Sequence, residues 1–215
     1  MIQLFNVSKS FGSSVALHEI SLKIRKGEFV FISGPSGAGK TTLLRLVFGA
    51  LRPTDGQILI DRINLNRISN YKLDLLRRSM GFVFQDFKLL QRKTIAQNVA
   101  IALEVTGERP SMIRKKTRQI LRAVGLEKKE YAYPLQISGG EQQRVAIARA
   151  IINNPMILLA DEPTGNLDPE LTKGIMLLFR TINLRGTTVV IATHSRELLR
   201  DTDQRIVHLQ AGRIV

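Results

Sequence analysis

The stretch Gly34-Pro35-Ser36-Gly37-Ala38-Gly39-Lys40-Thr41 constrains this chain more than any other, because it has the spacing G-x-x-x-x-G-K-[ST]. A loop of that form works only between a strand and a helix. Phe29-Val30-Phe31-Ile32 before it is a short apolar run that reads as a buried strand, and Lys40 to Phe48 after it reads as a helix. Gly34, Gly37 and Gly39 let the backbone turn sharply and bring its N–H groups onto phosphate oxygens, with the helix N-terminus adding partial positive charge. In that frame Lys40 is expected to reach the β- and γ-phosphates of a nucleotide, and the Thr41 hydroxyl to ligate Mg²⁺.

A second strand supplies acids. Met156-Ile157-Leu158-Leu159-Ala160 is wholly apolar, as strands of a parallel sheet are when both faces are buried, and it delivers Asp161-Glu162 at its carboxyl end. Ligands sit at such strand ends in open α/β sheets. Asp161 is placed to hold the Mg²⁺ shell and Glu162 to polarise a water for in-line attack on a γ-phosphate. Thr187 to Thr193 reads as the last apolar strand and ends in His194, where a γ-phosphate contact is within reach. His18 and His208 lack that setting and are given no role.

A further glycine-bearing loop lies at Ile137-Ser138-Gly139-Gly140-Glu141-Gln142-Gln143-Arg144, running straight into a helix over Glu141 to Ile152. Its free N–H groups and hydroxyl would make another anion site. The plainer reading is a helix cap, the usual work of a Ser in that position.

Around these motifs, residues 1–33 read as β structure, with Ile2 to Val7 as one strand and Ile20, Leu22 and Ile24 alternating in another. Phe11 lies between them, where a flat aromatic could stack on an adenine ring or simply pack the loop. Pro53-Thr54-Asp55-Gly56 turns the chain into a strand at Gln57 to Ile60, and Gly81-Phe82-Val83-Phe84 is another short strand followed by Gln85. Residues 87–136 then read as a helical insert. Thr94 to Thr106 has helical spacing, and Pro110-Ser111 opens a second helix whose apolar side is Met112, Ile113, Ile120, Leu121 and Val124 before Gly125.

The chain has no cysteine, which excludes disulfides and thiolate metal sites. A signal peptide is not expected from its first residues, and no uncharged run approaches the roughly 18–20 residues that span a bilayer. The formal charge of +14 points to an anionic partner or surface. Much of it is local: Phe87 to Glu130 holds eleven Lys and Arg against four Glu. A merely solvated basic face explains that run about as well as a functional one.

Taken together and in this order, the features resemble the ATP-binding cassette (ABC) ATPases over essentially the whole chain. The resemblance implies an α/β cassette: a parallel-sheet core with an N-terminal antiparallel β subdomain over about 1–86 and 137–215, and a helical subdomain over about 87–136. It implies ATP and Mg²⁺ as ligands. Phe11 looks like the adenine-stacking aromatic, Gly34 to Thr41 with Thr42 like the Walker A loop, and Gln85 like the glutamine between Mg²⁺ and the membrane partner. Ser138 to Gln142, with Ser138, Gly139, Gly140 and Glu141 as the nucleotide-contacting residues, look like the family signature, Leu158 to Glu162 like Walker B with its general base, Asn166 to Asp168 like the D-loop, and His194 like the switch histidine. The signature departs from the commonest form in Ile137 for Leu and Glu141 for Gln.

The family's mechanism is a head-to-tail dimer in which each ATP lies between the phosphate loop of one copy and the Ser138 loop of the other. Phe84 to Leu90, Ile137 to Arg144 and Leu159 to Asp168 resemble the bacterial cell-division ATPases of this family; Asp161 to Asp168 is shared with lipoprotein and macrolide exporters, whose energising ATPase is the alternative within the branch. That branch implies a second copy of the chain, an integral membrane subunit and the cytoplasmic face of the inner membrane as partners. No specific nucleic acid is expected; a nucleic-acid-associated cassette protein stands as the alternative prompted by the charge.

Overall fold

The computed structural model describes residues 1–165, 167–200 and 202–215. The chain opens with a long hairpin, β1 (Ile2–Phe11) against β2 (Ser14–Ile24), and then enters β3 (Phe29–Ser33). The phosphate loop leads from β3 into α1 (Lys40–Val47). Two strands, β4 (Asp55–Ile60) and β5 (Ile63–Asn64), return to the hairpin and complete an antiparallel sheet of order β2-β1-β4-β5. The helix α2 (Asn70–Arg78), capped by the Ser69 side chain, connects to β6 (Met80–Val83).

Helices follow: α3 (Ile95–Glu104), α4 (Pro110–Ala123), two short 3-10 turns and α5 (Gly139–Ile151). Local chemistry fixes their starts. Thr94 and Gln97 form a reciprocal cap on α3, and Pro110 begins α4, where its missing N–H costs nothing. Met112, expected on the apolar side of α4, lies exposed; Thr117 takes a buried position on that side with Leu121. The correction follows from angle: position 112 is rotated off the stripe that 113, 117 and 121 form at helical spacing.

The chain then alternates β7 (Ile157–Asp161), α6 (Pro169–Leu184), β8 (Thr188–Thr193), the short α7 (Arg196–Arg200), β9 (Arg205–Gln210) and β10 (Arg213–Ile214). The second sheet has the order β10-β9-β3-β8-β7-β6 and is parallel except at β10. Thr187 to Thr193 is therefore not the last core strand. In β9 only Val207 and Leu209 are buried, between polar neighbours, so it reads less plainly than the fully apolar strands.

Period-two alternation splits the core between the faces of this sheet. Val30, Ile32, Leu159, Val190 and Ala192 join the β1–β2 side and α1; Phe29, Phe31, Leu158, Ala160, Val189 and Ile191 join α3, α5 and α6. Each fully buried Ile, Leu or Phe contributes about 1.5–3 kcal/mol. A sheet anchored from both sides holds its strand ends rigidly, and there the charged residues gather.

Candidate active site

Because β3 pairs with β8 and β8 with β7, all parallel, their carboxyl ends lie side by side. The phosphate loop after β3, Asp161-Glu162 at the end of β7 and His194 after β8 converge on one rim. A cavity of about 240 Å³ opens there, lined by Ser36, Gly37, Ala38, Gly39, Lys40, Thr41 and Thr42 with Gln85, Glu162, His194 and Ala16.

Two glycines shape the loop. A Cβ on Gly34 would lie 2.0 Å from the Leu209 carbonyl oxygen, and one on Gly39 would lie 2.6 Å from the Ala16 carbonyl oxygen, with φ of +154° and +102° at the two positions. No other residue type fits without moving β9 or β2. The close approach wraps the loop around the start of α1, whose first N–H groups have no partner within the helix.

Lys40 is buried, and its Nζ donates to the carbonyls of Gly34 at 2.8 Å and Pro35 at 3.1 Å. The same atom stands 3.4 Å from Glu162 Oε1. An ammonium has three donors on one point charge, so phosphate oxygens entering the loop can take over these contacts. Next along the helix, the Thr41 hydroxyl donates to Asp161 Oδ1 at 3.1 Å. Burial pushes the Asp161 carboxyl above its ordinary range, and the Thr41 hydrogen bond pulls it back by less.

Glu162 lies beyond the end of β7 in a left-handed conformation, φ 47°, its N–H donating to the Ala192 carbonyl on β8 at 2.9 Å. That backbone turn swings the side chain towards His194. Its Oε1 lies 2.8 Å from His194 Nδ1, and its Oε2 accepts the His194 backbone N–H at 3.3 Å. The buried carboxylate thus touches Lys40 on one side and His194 on the other. Nothing in the sequence signals the left-handed backbone at Glu162, nor that Ala16 would line the cavity.

Several expected residues stand elsewhere. Ser138, Gly139, Gly140 and Glu141 do not line this cavity. The Ser138 hydroxyl accepts the Glu141 N–H at 3.3 Å, and Glu141 Oε2 accepts the Ser138 N–H at 2.9 Å, so the pair caps α5. Gly139 faces open space, whereas Gly140 packs against the Leu171 side chain. Phe11 is half exposed at the end of β1, with Lys9 Nζ 5.1 Å above its ring; it does not line the cavity either, though the returning strand brings Ala16 there. Asn166 lies outside the described residues.

The oxygen donors fit Mg²⁺. Thr41, Asp161 and Gln85 offer a hydroxyl, a carboxylate and an amide oxygen, all hard ligands. Among the described residues no group of three or more His, Cys, Asp and Glu forms a metal cage. Mg²⁺ in nucleotide sites is held in that sparse way, by one or two protein ligands and the substrate's phosphates.

The family model described as ABC transporter matches residues 17–165. The cell division ATP-binding protein FtsE of Mycobacterium tuberculosis (strain ATCC 25618 / H37Rv) is 50% identical over 217 residues, covering 100% of this chain and 94% of that protein. Its namesake in Bacillus subtilis (strain 168) is 48% identical over 216 residues, covering 100% and 95%. That of Escherichia coli (strain K12) is 44% identical over 215 residues, covering 100% and 97%. Among solved structures, a dimeric bacterial ABC transporter cassette superposes with a TM-score of 0.92 at 40% identity, covering 100% of this chain and 96% of that one. A dimeric post-hydrolysis state of an ATP-binding cassette bound to ADP and Pi gives 0.91 at 40% identity with the same coverage.

Proposed function

Because the chain belongs to the ABC transporter family and is an ATPase of that family, we propose that it fills the role of its FtsE relatives, as the nucleotide-binding half of a cell-division membrane complex. The observation that carries the reading is the convergence of Lys40, Thr41, Gln85, Glu162 and His194 on one cavity, with Asp161 joined to it through the Thr41 hydroxyl, in a chain that matches cell-division relatives along its whole length.

The chemistry follows from the positions. Backbone N–H groups of Gly37 to Thr41 and the Lys40 ammonium hold the β- and γ-phosphates, and Phe11 stacks on the adenine. Thr41, Asp161 and Gln85 would hold Mg²⁺, which supplies charge neutralisation across the phosphates. Glu162 accepts a proton from water as the water oxygen bonds to the γ-phosphorus and the bond to the bridging oxygen of ADP breaks. His194, anchored on Glu162, fixes that carboxylate and contacts the γ-phosphate.

The Ser138 end of α5 lies outside its own chain's cavity, which supports a second copy supplying Ser138, Gly139 and Gly140 to each nucleotide. The dimeric state of the two solved relatives supports the same arrangement. Among the described residues no helix is long and apolar enough to cross a membrane. In the role of its FtsE relatives the chain works with a membrane subunit resembling FtsX. Arg114, Lys115, Arg118 and Arg122 lie exposed on α4. Facing the anionic cytoplasmic leaflet at the division site, each would add about 1 kcal/mol of attraction.

The test is affinity capture of the tagged Glu162→Gln protein from its native membranes in ATP. Recovery of an FtsX-like membrane protein with division components is expected. Recovery of a lipoprotein or efflux permease instead would move the chain to the exporter branch.

A further inference from the structure

Arg149 stands near the C-terminal end of α5, at the opposite end from Ser138. Its guanidinium donates from Nη1 to the Lys88 carbonyl at 2.8 Å and from Nη2 to the Phe87 carbonyl at 2.6 Å. Phe87 and Lys88 are consecutive and both left-handed, with φ of 57° and 49°. L residues do not hold that conformation in pairs without support. The turn they close begins beside Gln85: the Phe87 N–H donates back to the Phe84 carbonyl at 3.1 Å. Gln85 itself lines the nucleotide cavity.

The cation has no other evident task. Among the described residues no carboxylate pairs with Arg149, and burial pushes its guanidinium below the ordinary value. The far end of the same segment is fastened to α3. Buried Asn98 accepts the Leu90 N–H at 2.7 Å and donates to the Leu90, Lys93 and Thr94 carbonyls, each at 3.0 Å. The chain from Gln85 to Lys93 is therefore tied to α5 at Phe87-Lys88 and to α3 at Leu90 and Lys93.

We infer that Arg149 is a positioning residue: its fork on the Phe87 and Lys88 carbonyls sets where Gln85 stands at the cavity and fixes that position to α5. The inference rests on the proposed place of Gln85 in the Mg²⁺ shell. It explains why the position holds an arginine. A planar fork spans two adjacent carbonyls, and a lysine ammonium at the same point does not.

The experiment compares Arg149→Lys, Arg149→Met, Gln85→Ala and the double variant Gln85→Ala/Arg149→Lys in the full chain. Folding is checked by circular dichroism and melting temperature. The readouts are the Mg²⁺ concentration for half-maximal ATPase and the affinity for a fluorescent ATP analogue in EDTA. Arg149→Lys is expected to raise the Mg²⁺ requirement about tenfold, the scale of losing support behind a metal ligand. Its affinity in EDTA should stay within about twofold of the parent on the same argument. In the Gln85→Ala background the substitution should add nothing further.

An unchanged Mg²⁺ requirement in Arg149→Lys, while Gln85→Ala raises it, overturns the inference alone. Full additivity of the two substitutions overturns it as well. An unchanged requirement in Gln85→Ala overturns the reading of Gln85 and the inference with it. Loss of fold in both arginine variants assigns Arg149 a purely structural role.

Discussion

His194 meets Glu162 twice: its ring Nδ1 lies 2.8 Å from Oε1, and its backbone N–H donates to Oε2 at 3.3 Å. The second contact is main chain, so the carboxylate keeps one anchor when the ring is removed. Glu162→Gln should therefore be the deeper lesion, lowering kcat by about 10²–10⁴ as loss of a general base does, with nucleotide binding retained. His194→Ala should fall between it and the parent. Steady-state phosphate release beside nucleotide titration checks both, and equal activity in Glu162→Gln and parent would remove Glu162 from the chemistry.

Lys40 is held by the Gly34 and Pro35 carbonyls and stands 3.4 Å from Glu162 Oε1. Removing it strips the loop of its only side-chain cation and would leave Glu162 unscreened against a phosphate bound there. Lys40→Ala should weaken Mg-ATP binding by about tenfold or more, the cost of roughly one charged hydrogen bond. Calorimetric titration measures this directly; an unaltered affinity would mean the phosphates bind elsewhere.

Gly139 and Gly140 are adjacent but packed differently, one facing open space and the other against Leu171. Gly139→Asp should leave the melting temperature close to that of the parent. It should also block ATP-driven pairing, because it sets a carboxylate where a partner's phosphates would come. Gly140→Ile should lower the melting temperature, because a branched side chain there crowds Leu171 by more than a shift of one methyl can relieve. Thermal melts and light scattering in ATP separate the two, and normal pairing by Gly139→Asp would exclude this helix end from the dimer.

Asp161 is buried with the Thr41 hydroxyl as its hydrogen-bond partner, and burial disfavours its ionised form. Asp161→Asn keeps that hydrogen bond and removes the charge. In EDTA the variant should melt about 2–4 °C higher, the effect of roughly 1 kcal/mol in a chain of this size. Mg²⁺-dependent ATPase should be lost. A lower melting temperature in EDTA would show that the carboxylate stabilises the fold without a cation.

Glu108 is held below its ordinary value of 4.5 by the Lys116 ammonium and then by the Arg109 N–H. A carboxyl lowered in the folded state adds stability above the unfolded value, and that stability is lost as pH falls through the folded one. Glu108→Gln should melt slightly lower than the parent at neutral pH, with the difference disappearing at pH values well below 4.5. A gap that persisted into acid would assign the loss to packing instead of charge.

The chemistry of this protein was written locally. The phosphate loop, the apolar strand ending in Asp161-Glu162 and the Ser138-Gly139-Gly140 cap each depend on neighbours a few residues away, where strand period, helix capping and glycine freedom act. A reader of the sequence can place them on strands and helix starts. Their convergence depends on strand order. Only pairing of β3 with β8 and of β8 with β7 brings Lys40 to Glu162 and Glu162 to His194. Pairing is a long-range contest of burial that no short segment reports. The same holds for β9, whose two buried residues gain their meaning only beside β3, and for Arg149, whose carbonyl partners lie about sixty positions back in the chain. Residue types and spacing determined what this protein can bind; the packing of the parallel sheet against its helices decided which groups touch.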